Sequence, residues 1–267
     1  MRKISVIENG LPASAKIAGL LDTKLTDAGF EVITSCVDGA ELIICIGGDG
    51  SFLSTLSKFN FPAIPFVGIN TGHLGFFQEL DEEDIDFFIE SYLAGKYTRQ
   101  KYHTVDGVIE FEGKTEQVRG LNEIVIRSNN FKLAHLDIYI GDNFIEKFSG
   151  DGVVISTPAG STAYNYALGG SIVDPRLDLL QLTPIAASST AAYRSFTSGI
   201  VLPPDLNIEI RPQNMSENDI TIAVDGNDVG LKNVSKISIG LSSTEVELLR
   251  FKDYQFWNTV KQKLLTQ

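Results

Sequence analysis

The chain has 267 residues, 43% of them apolar and 21% charged, an ordinary balance for a folded protein with one large core or two modest ones. Its net charge of −12 argues against a nucleic-acid or membrane surface as partner, although local backbone dipoles can still hold phosphate. Two cysteines, Cys36 and Cys45, make neither a disulfide framework nor a zinc site, and no apolar stretch reaches membrane-spanning length. Met1-Arg2-Lys3 runs straight into a strand pattern, so a cytoplasmic protein is expected.

Residues 1–100 alternate between strand and helix patterns, which implies a mostly parallel sheet covered on both faces. Strand Ile4–Ile7 leads into a helical stretch, Ala13–Ala28, stopped by Gly29. A strand at Phe30–Thr34 precedes the run Glu41-Leu42-Ile43-Ile44-Cys45-Ile46-Gly47-Gly48-Asp49-Gly50, whose unbroken apolar part is the pattern of a strand buried on both faces. Phe52, Leu53 and Leu56 then recur at helical spacing across Ser51–Lys58. Pro65–Ile69 is another short strand, and it ends in Asn70-Thr71-Gly72-His73-Leu74-Gly75-Phe76. Asp81-Glu82-Glu83-Asp84 opens a helix expected to turn Phe87, Phe88, Tyr92 and Leu93 inward and to stop at Gly95.

From about Arg99 the pattern changes to short β segments bounded by Gly, Asn or Asp: Thr104–Phe111, Glu123–Arg127, Leu136–Ile140, Val153–Ser156, Leu206–Ile210, Ile220–Val224, Lys236–Ile239 and Glu245–Phe251. Gly141-Asp142-Asn143 and Asp225-Gly226 read as hairpin turns. A second, largely antiparallel domain over 101–251 is therefore expected. The tail Tyr254–Leu265 reads as helix with Phe256, Trp257, Val260 and Leu264 on one face, so that 252–267 returns to complete the first domain.

Two stretches carry chemistry. In the first, glycines at a strand end permit positive φ and close approach of another molecule, and the helix that follows offers free N–H groups to an anion. A carboxylate there is repelled by phosphate unless it has work to do, as a base on a neighbouring hydroxyl or as a metal ligand. The alternative for Asp49 is a plain helix cap. The second stretch runs from Ser149-Gly150-Asp151-Gly152 through Ser156-Thr157-Pro158-Ala159-Gly160-Ser161-Thr162-Ala163-Tyr164-Asn165, where a strand meets a rigid, hydroxyl-rich turn and a helical segment, Ser161–Leu168. Ser161 or Thr162 could cap that segment, but capping explains neither the density of hydroxyls nor a second aspartate set between glycines. Tyr164 and Asn165 add an aromatic face and an amide suited to a planar base. Asn70–Phe76 follows a parallel strand at its carboxyl end, where open α/β sheets bind ligands, which makes His73 a candidate against the alternative of a surface histidine. His103 and His135 lie in strand-like stretches with no acid or cysteine at metal-ligand spacing in the sequence and are assigned no function, and Asp225-Gly226 is read most simply as a turn. There is no GxxxxGK[ST] loop, and no GxGxxG follows the first strand.

Taken in order, Gly47-Gly48-Asp49-Gly50, Asn70–Phe76, Asn122-Glu123 and the Asp151–Asn165 run resemble the bacterial NAD kinases, over nearly the whole chain to Phe256-Trp257. The glycine–aspartate turn alone is shared with lipid and sphingosine kinases, whereas the run Ser156–Asn165 is far more specific. The resemblance implies a Rossmann-like N-terminal α/β domain and a C-terminal β-sandwich-type domain. It implies a phosphotransferase acting on the 2′-hydroxyl of the adenosine ribose of NAD, with ATP as donor and Mg²⁺ carried on it; polyphosphate stays open as a donor. Asp49 would be the base, and Gly48 and Gly50 would let backbone approach the phosphates. Asn122 and Glu123 would hold ribose or adenine groups, and Asp151 another polar edge of the dinucleotide. Thr162, Ala163, Tyr164 and Asn165 would form the adenine pocket, with Ala186 near the nicotinamide end and Asp225 close to the site. A homodimer or homotetramer goes with the resemblance.

The chain departs from the family at several positions. Ser51 stands where many members carry threonine, Ser149 where a basic residue often precedes the Gly-Asp pair, and Ala167 where a hydroxyl is common; Gly226 removes any side-chain contact after Asp225. Two competing readings are a lipid or sphingosine kinase, disfavoured by the acidic charge and the lack of a basic amphipathic helix, and a non-catalytic NAD-binding sensor, which would have no need of Asp49.

Overall fold

In the computed structural model, which describes residues 1–72, 75–129, 132–189, 194–213, 220–252 and 254–265, the apolar run becomes β3 (Leu42–Ile46), buried along its whole length. It pairs in parallel with β1 (Lys3–Glu8) on one side and β4 (Phe66–Ile69) on the other, and β2 (Glu31–Thr34) lies outside β1. The end of a late strand, β16 (Val234–Arg250), adds in parallel beyond β4, with Leu248 opposite Phe66. Strands that alternate with helices must cross over to pair in parallel, so both faces need cover. Leu42, Ile44 and Ile46 face one core shared with Ile17, Leu21 and Leu25 of α1 (Pro12–Asp27) and with Phe88, Ile89 and Tyr92 of α3 (Ile85–Leu93). On the opposite face, Cys45 meets Thr55 of α2 (Asp49–Lys58), whose Phe52 stacks on Phe77 at 4.8 Å between centroids.

The described chain divides into two units, 1–101 with 245–267 and 102–244. The chain re-enters the first unit at Glu245, inside β16, earlier than the 251/252 boundary expected; the pairing of Leu248 with Phe66 accounts for it. Two details of the first unit differ from expectation. On α3 the inward set is Ile85, Phe88, Ile89 and Tyr92, the i, i+3, i+4, i+7 stripe, so Phe87 and Leu93 fall outside it and are exposed. In the tail, α5 (Phe256–Val260) gives way to a single wider turn, Lys261–Leu265; Thr259 and Val260 are buried while Trp257 is exposed.

The second unit is a sandwich of antiparallel strands. One sheet runs β12 (Ile200–Leu202), β11 (Leu180–Ile185), β10 (Gly152–Ser156), β7 (Glu123–Ser128), β14 (Ile220–Val224), β15 (Asn227–Asp228). The other pairs β16 with β13 (Ile208–Pro212), β13 with β8 (Ala134–Ile140) and β8 with β9 (Asn143–Gly150), and includes β5 (Thr98–Phe111) with β6 (Lys114–Gly120). Alternate residues of both sheets, such as Ile124, Ile126, Val153 and Ile155 against Ile138, Ile210 and Ile237, interdigitate in one core. Two strands expected separately, Lys236–Ile239 and Glu245–Phe251, are one continuous β16. The expected helix Ser161–Leu168 is a 3₁₀ turn, Ala159–Thr162, followed by the single turn α4 (Tyr164–Ala167). Among the described residues no helix is long and apolar enough to cross a membrane.

Candidate active site

Gly47 turns the chain out of β3 at φ 145°, and the extended Gly48 is the N-cap of α2, so Asp49 is the first helical residue and not its cap. Its carboxylate is spent elsewhere. Oδ1 accepts the backbone N–H of Phe76 at 3.0 Å and of Phe77 at 3.1 Å, and Oδ2 takes the ammonium of Lys263 at 2.6 Å with Phe76 N–H at 3.2 Å. The capping alternative for Asp49 therefore falls. The backbone that grips it is clamped in turn. Arg250, buried, donates to the carbonyls of Phe76 at 2.9 Å and Phe77 at 3.4 Å and to Gln100 Oε1 at 2.7 Å, with Glu79 at 3.7 Å. Gly75 allows this approach: a Cβ there would lie 2.4 Å from Asp49 Oδ1 and 2.0 Å from Gln78 Oε1.

A Cβ placed on Gly48 or Gly50 would meet nothing within 4 Å, so the turn presents open backbone at the start of α2. Beside it, at the carboxyl ends of β1 and β3, a cavity of about 420 Å³ is lined by Asn9, Gly50, Ser51, Ser54, Thr55 and Lys58 among others. This is the strand end at which α/β sheets hold ligands. His73 lies outside the described residues. Among the described residues no cluster of three or more His, Cys, Asp or Glu could cage a metal ion. A Mg²⁺ ion usually takes only one or two carboxylates and completes its shell with substrate phosphates and water, which a lone Asp49 beside an open turn fits.

The second cluster lies in the other unit, where β7 begins, β10 ends and the β14–β15 hairpin turns. Asp225 and Gly226 both have positive φ, 48° and 82°, the type I′ geometry expected of the pair. Asp225 is more than a turn residue. Its carboxylate accepts the N–H of Leu121 at 2.7 Å, Asn122 at 2.8 Å and Glu123 at 3.2 Å. Burial pushes this carboxyl up, and the three N–H groups pull it back. Glu123, buried beside it, is pushed up to about 8, first by burial and then by the Asp225 charge, against one hydrogen bond from the Tyr164 backbone. Asp225, with its three N–H donors, is the better home for charge, and Glu123 holds the proton.

Thr157 ties the next turn to this one. Its hydroxyl donates to Leu121 O at 2.6 Å and accepts Gly160 N–H at 3.2 Å, while its own N–H reaches Asn122 O at 2.9 Å. Gly160 packs so closely on the same carbonyl that a Cβ would lie 2.1 Å from it. Three buried side-chain atoms here have no hydrogen-bond partner: Asn122 Oδ1, Glu123 Oε2 and Ser156 Oγ. Unpaired buried polar atoms are costly, so three in one place point to a ligand that pairs them. Tyr164 lies over Val125, Val154 and Ile185 on the outer face of the sheet.

The remaining candidates divide by burial. Asn165 is fully buried, its amide donating to Ser161 O and Ser171 O and accepting from Thr183 Oγ1 at 2.6 Å. Ser161 likewise bonds the backbone of Val173. Ser149 is buried, with its hydroxyl 2.8 Å from His135 Nδ1. Thr162 and Ala163 are partly exposed and Ala167 is exposed. Asp151 and Ala186 sit together at the opposite end of β10, where Asp151 N–H bonds Ile185 O; both are exposed, and Ala186 has φ 44°. Residues not singled out from sequence include Ser156, Thr157, Gln78, Arg250 and Lys263. Ser156 and Thr157 stood in the hydroxyl-rich run, while nothing local marks the others.

A family model described as "ATP-NAD kinase N-terminal domain" matches residues 10–97, and one described as "ATP-NAD kinase C-terminal domain" matches 121–251. The chain is 36% identical to an NAD kinase of Finegoldia magna, over 98% of this chain and 97% of the relative. It is 30% identical to an NAD kinase of Lactobacillus johnsonii, over 99% and 98%. In fold it is similar to yeast NADH kinase solved with NADH, at TM-score 0.86 and 19% identity over 100% of this chain and 90% of that one. An NAD kinase from Archaeoglobus fulgidus solved with ATP gives TM-score 0.78 and 21% identity, over 97% of each chain. The lipid-kinase and sensor readings find no support in these likenesses.

Proposed function

Because this chain belongs to the NAD kinase family, we propose that it transfers the γ-phosphoryl group of ATP to the 2′-hydroxyl of the adenosine ribose of NAD, giving NADP, ADP and a proton. The observation that carries the reading is the placement of Asp49 at an open glycine turn, off the helix cap, with its carboxylate aimed by the Phe76 and Phe77 N–H groups. Oδ2 would accept the hydroxyl proton as the ribose oxygen bonds to the γ-phosphorus. The bond from that phosphorus to the β,γ-bridging oxygen breaks, and its electron pair leaves with ADP. Phosphoryl transfer asks a protein mainly for positioning and charge neutralisation. Mg²⁺, entering on the donor, would supply part of that neutralisation, with Asp49 a carboxylate at the open turn that could help to hold it.

The second unit would read the dinucleotide. Asn122 Oδ1 offers an acceptor, protonated Glu123 a donor and Ser156 Oγ either, all at one end of β10, with the Tyr164 ring for a planar base. Asp151 and Ala186 stand at the other end, about 17 Å away at the rise of a strand, so a ligand touching both must be elongated. ATP as donor is supported by the Archaeoglobus relative solved with ATP, and the dinucleotide by the yeast relative solved with NADH. A homo-oligomeric, cytoplasmic enzyme goes with this reading. The test is an assay of purified protein with NAD, Mg²⁺ and either ATP or polyphosphate, NADP being read with an NADP-specific dehydrogenase. NADP formation supports the proposal; none with any donor sinks it.

A further inference from the structure

The ammonium of Lys263 sits on the oxygen of Asp49 that the proposed reaction needs, 214 residues away along the chain. Lys263 belongs to the turn Lys261–Leu265 after α5, and its Nζ also lies 4.7 Å from the centre of the Phe76 ring. The lysine is thus aimed by two groups of the Asp49 neighbourhood, a carboxylate and the face of an aromatic ring. The pair still reaches water, at 31% exposure for the lysine side chain and 25% for the aspartate. A part-exposed ion pair gains little net free energy, so a more highly charged anion can capture the lysine.

The geometry makes that exchange useful. Oδ1 is filled by two backbone N–H groups, which leaves Oδ2 to take a proton, and Lys263 occupies Oδ2. The open turn at Gly48 and Gly50 adjoins Asp49 in sequence, within the sweep of a flexible four-carbon stem. Arg250 cannot serve the same end, since its guanidinium is buried and committed to Phe76 O, Phe77 O and Gln100. We propose that Lys263 is a donor-binding residue, parked on Asp49 until the terminal phosphate of the donor draws it away. Arrival of the donor then brings a positive charge to the transferring group and bares Oδ2. The inference rests on the kinase reading and deepens it by naming a residue that grips the donor.

The test compares wild-type protein with Lys263→Gln and Lys263→Arg. A charge-assisted hydrogen bond to phosphate corresponds to roughly a 10- to 100-fold change in affinity. In Lys263→Gln the KM for Mg-ATP should rise and kcat should fall, each about tenfold or more on that scale, with the KM for NAD little changed. Inorganic tripolyphosphate, titrated calorimetrically without NAD, should bind Lys263→Gln more weakly by a similar factor, and Lys263→Arg should recover most of the loss. Unchanged donor KM and tripolyphosphate affinity in Lys263→Gln would overturn the assignment. So would a higher kcat, the mark of an inhibitory latch. An equal loss in both variants with a lowered melting temperature would also overturn it, as the mark of a strut for the tail. If the wild type made no NADP yet tripolyphosphate binding still depended on Lys263, the kinase reading would fail and the anion-binding role would stand.

Discussion

Asp49 in the first unit and the Glu123–Asp225 pair in the second are all carboxyl groups at strand ends or turns, yet their surroundings differ in kind. Asp49 is in reach of water, held by two N–H groups and the ammonium of Lys263. Glu123 is buried and holds its proton, and Asp225 is half-buried and tied by three N–H groups, with unpaired atoms left over around them. A group that must take a proton from a substrate needs an accessible oxygen. A group that must tell one ligand edge from another gains from exclusion of water, because a wrong ligand then leaves buried atoms unpaired. On the proposed reading, chemistry falls to the first unit and recognition to the second.

The sharpest way to break it is Asp49→Asn, which keeps the shape and an acceptor for Phe76 and Phe77 but cannot take a proton. Turnover should fall by about 10²–10⁴-fold. The melting temperature should change little, since a part-exposed ion pair is worth about 0–1 kcal/mol. Near-normal turnover would return Asp49 to a framework role. Asp225→Ala should act on stability instead. It strands three buried N–H groups, at about 1–3 kcal/mol for each bond left unmade, and a urea titration would register the loss; Asp225→Asn, which tolerates the positive φ, should recover much of it. If Asp225→Ala were as stable as wild type, the hydrogen-bonded turn would not be the scaffold described.

A smaller effect is expected for Tyr164→Ala, where an aromatic stacking contact is worth about 0.5–1.5 kcal/mol beyond burial, or several-fold in the NAD constant. The donor constant should stay put; a change in the donor constant alone would put the dinucleotide elsewhere. The smallest signal is in pH. Folded Glu123 holds its proton up to about pH 8, against about 4.5 for an ordinary glutamate in water. Over that window the native chain binds the extra proton, so this residue's stabilisation is full below the lower value, declines as pH rises and is gone above the upper one. Glu123→Gln should flatten that decline in urea midpoints, and an identical pH dependence in both proteins would mean Glu123 is already ionised when folded.

The parallel sheet, the change to antiparallel strands and the Asp49 turn were legible because each rests on local pattern: a continuous apolar run, glycines at its end, alternation within short strands. What was not legible depends on distant partners. Asn165 and Ser149 show only their polarity in sequence; the partners they meet, Thr183 and His135, are reached only through the fold. Asp225-Gly226 has the pattern of a simple turn, and nothing nearby in sequence announces that Leu121–Glu123 will present three N–H groups to it. Phe87 and Leu93 were misplaced because a helix dense in apolar residues does not declare which stripe is buried.

The first unit is assembled from two stretches far apart in the chain, and ribosomal synthesis delivers them at different times. Asp49 emerges early, but Leu248, Arg250 and Lys263 follow roughly two hundred residues later, an interval of about 10–40 s at ordinary rates of translation. Until then the fifth strand of the parallel sheet is missing and the Phe76–Phe77 backbone lacks its guanidinium clamp. The Asp49 carboxylate is thus born without its holder, and a nascent or prematurely ended chain has the glycine turn but not the geometry around it.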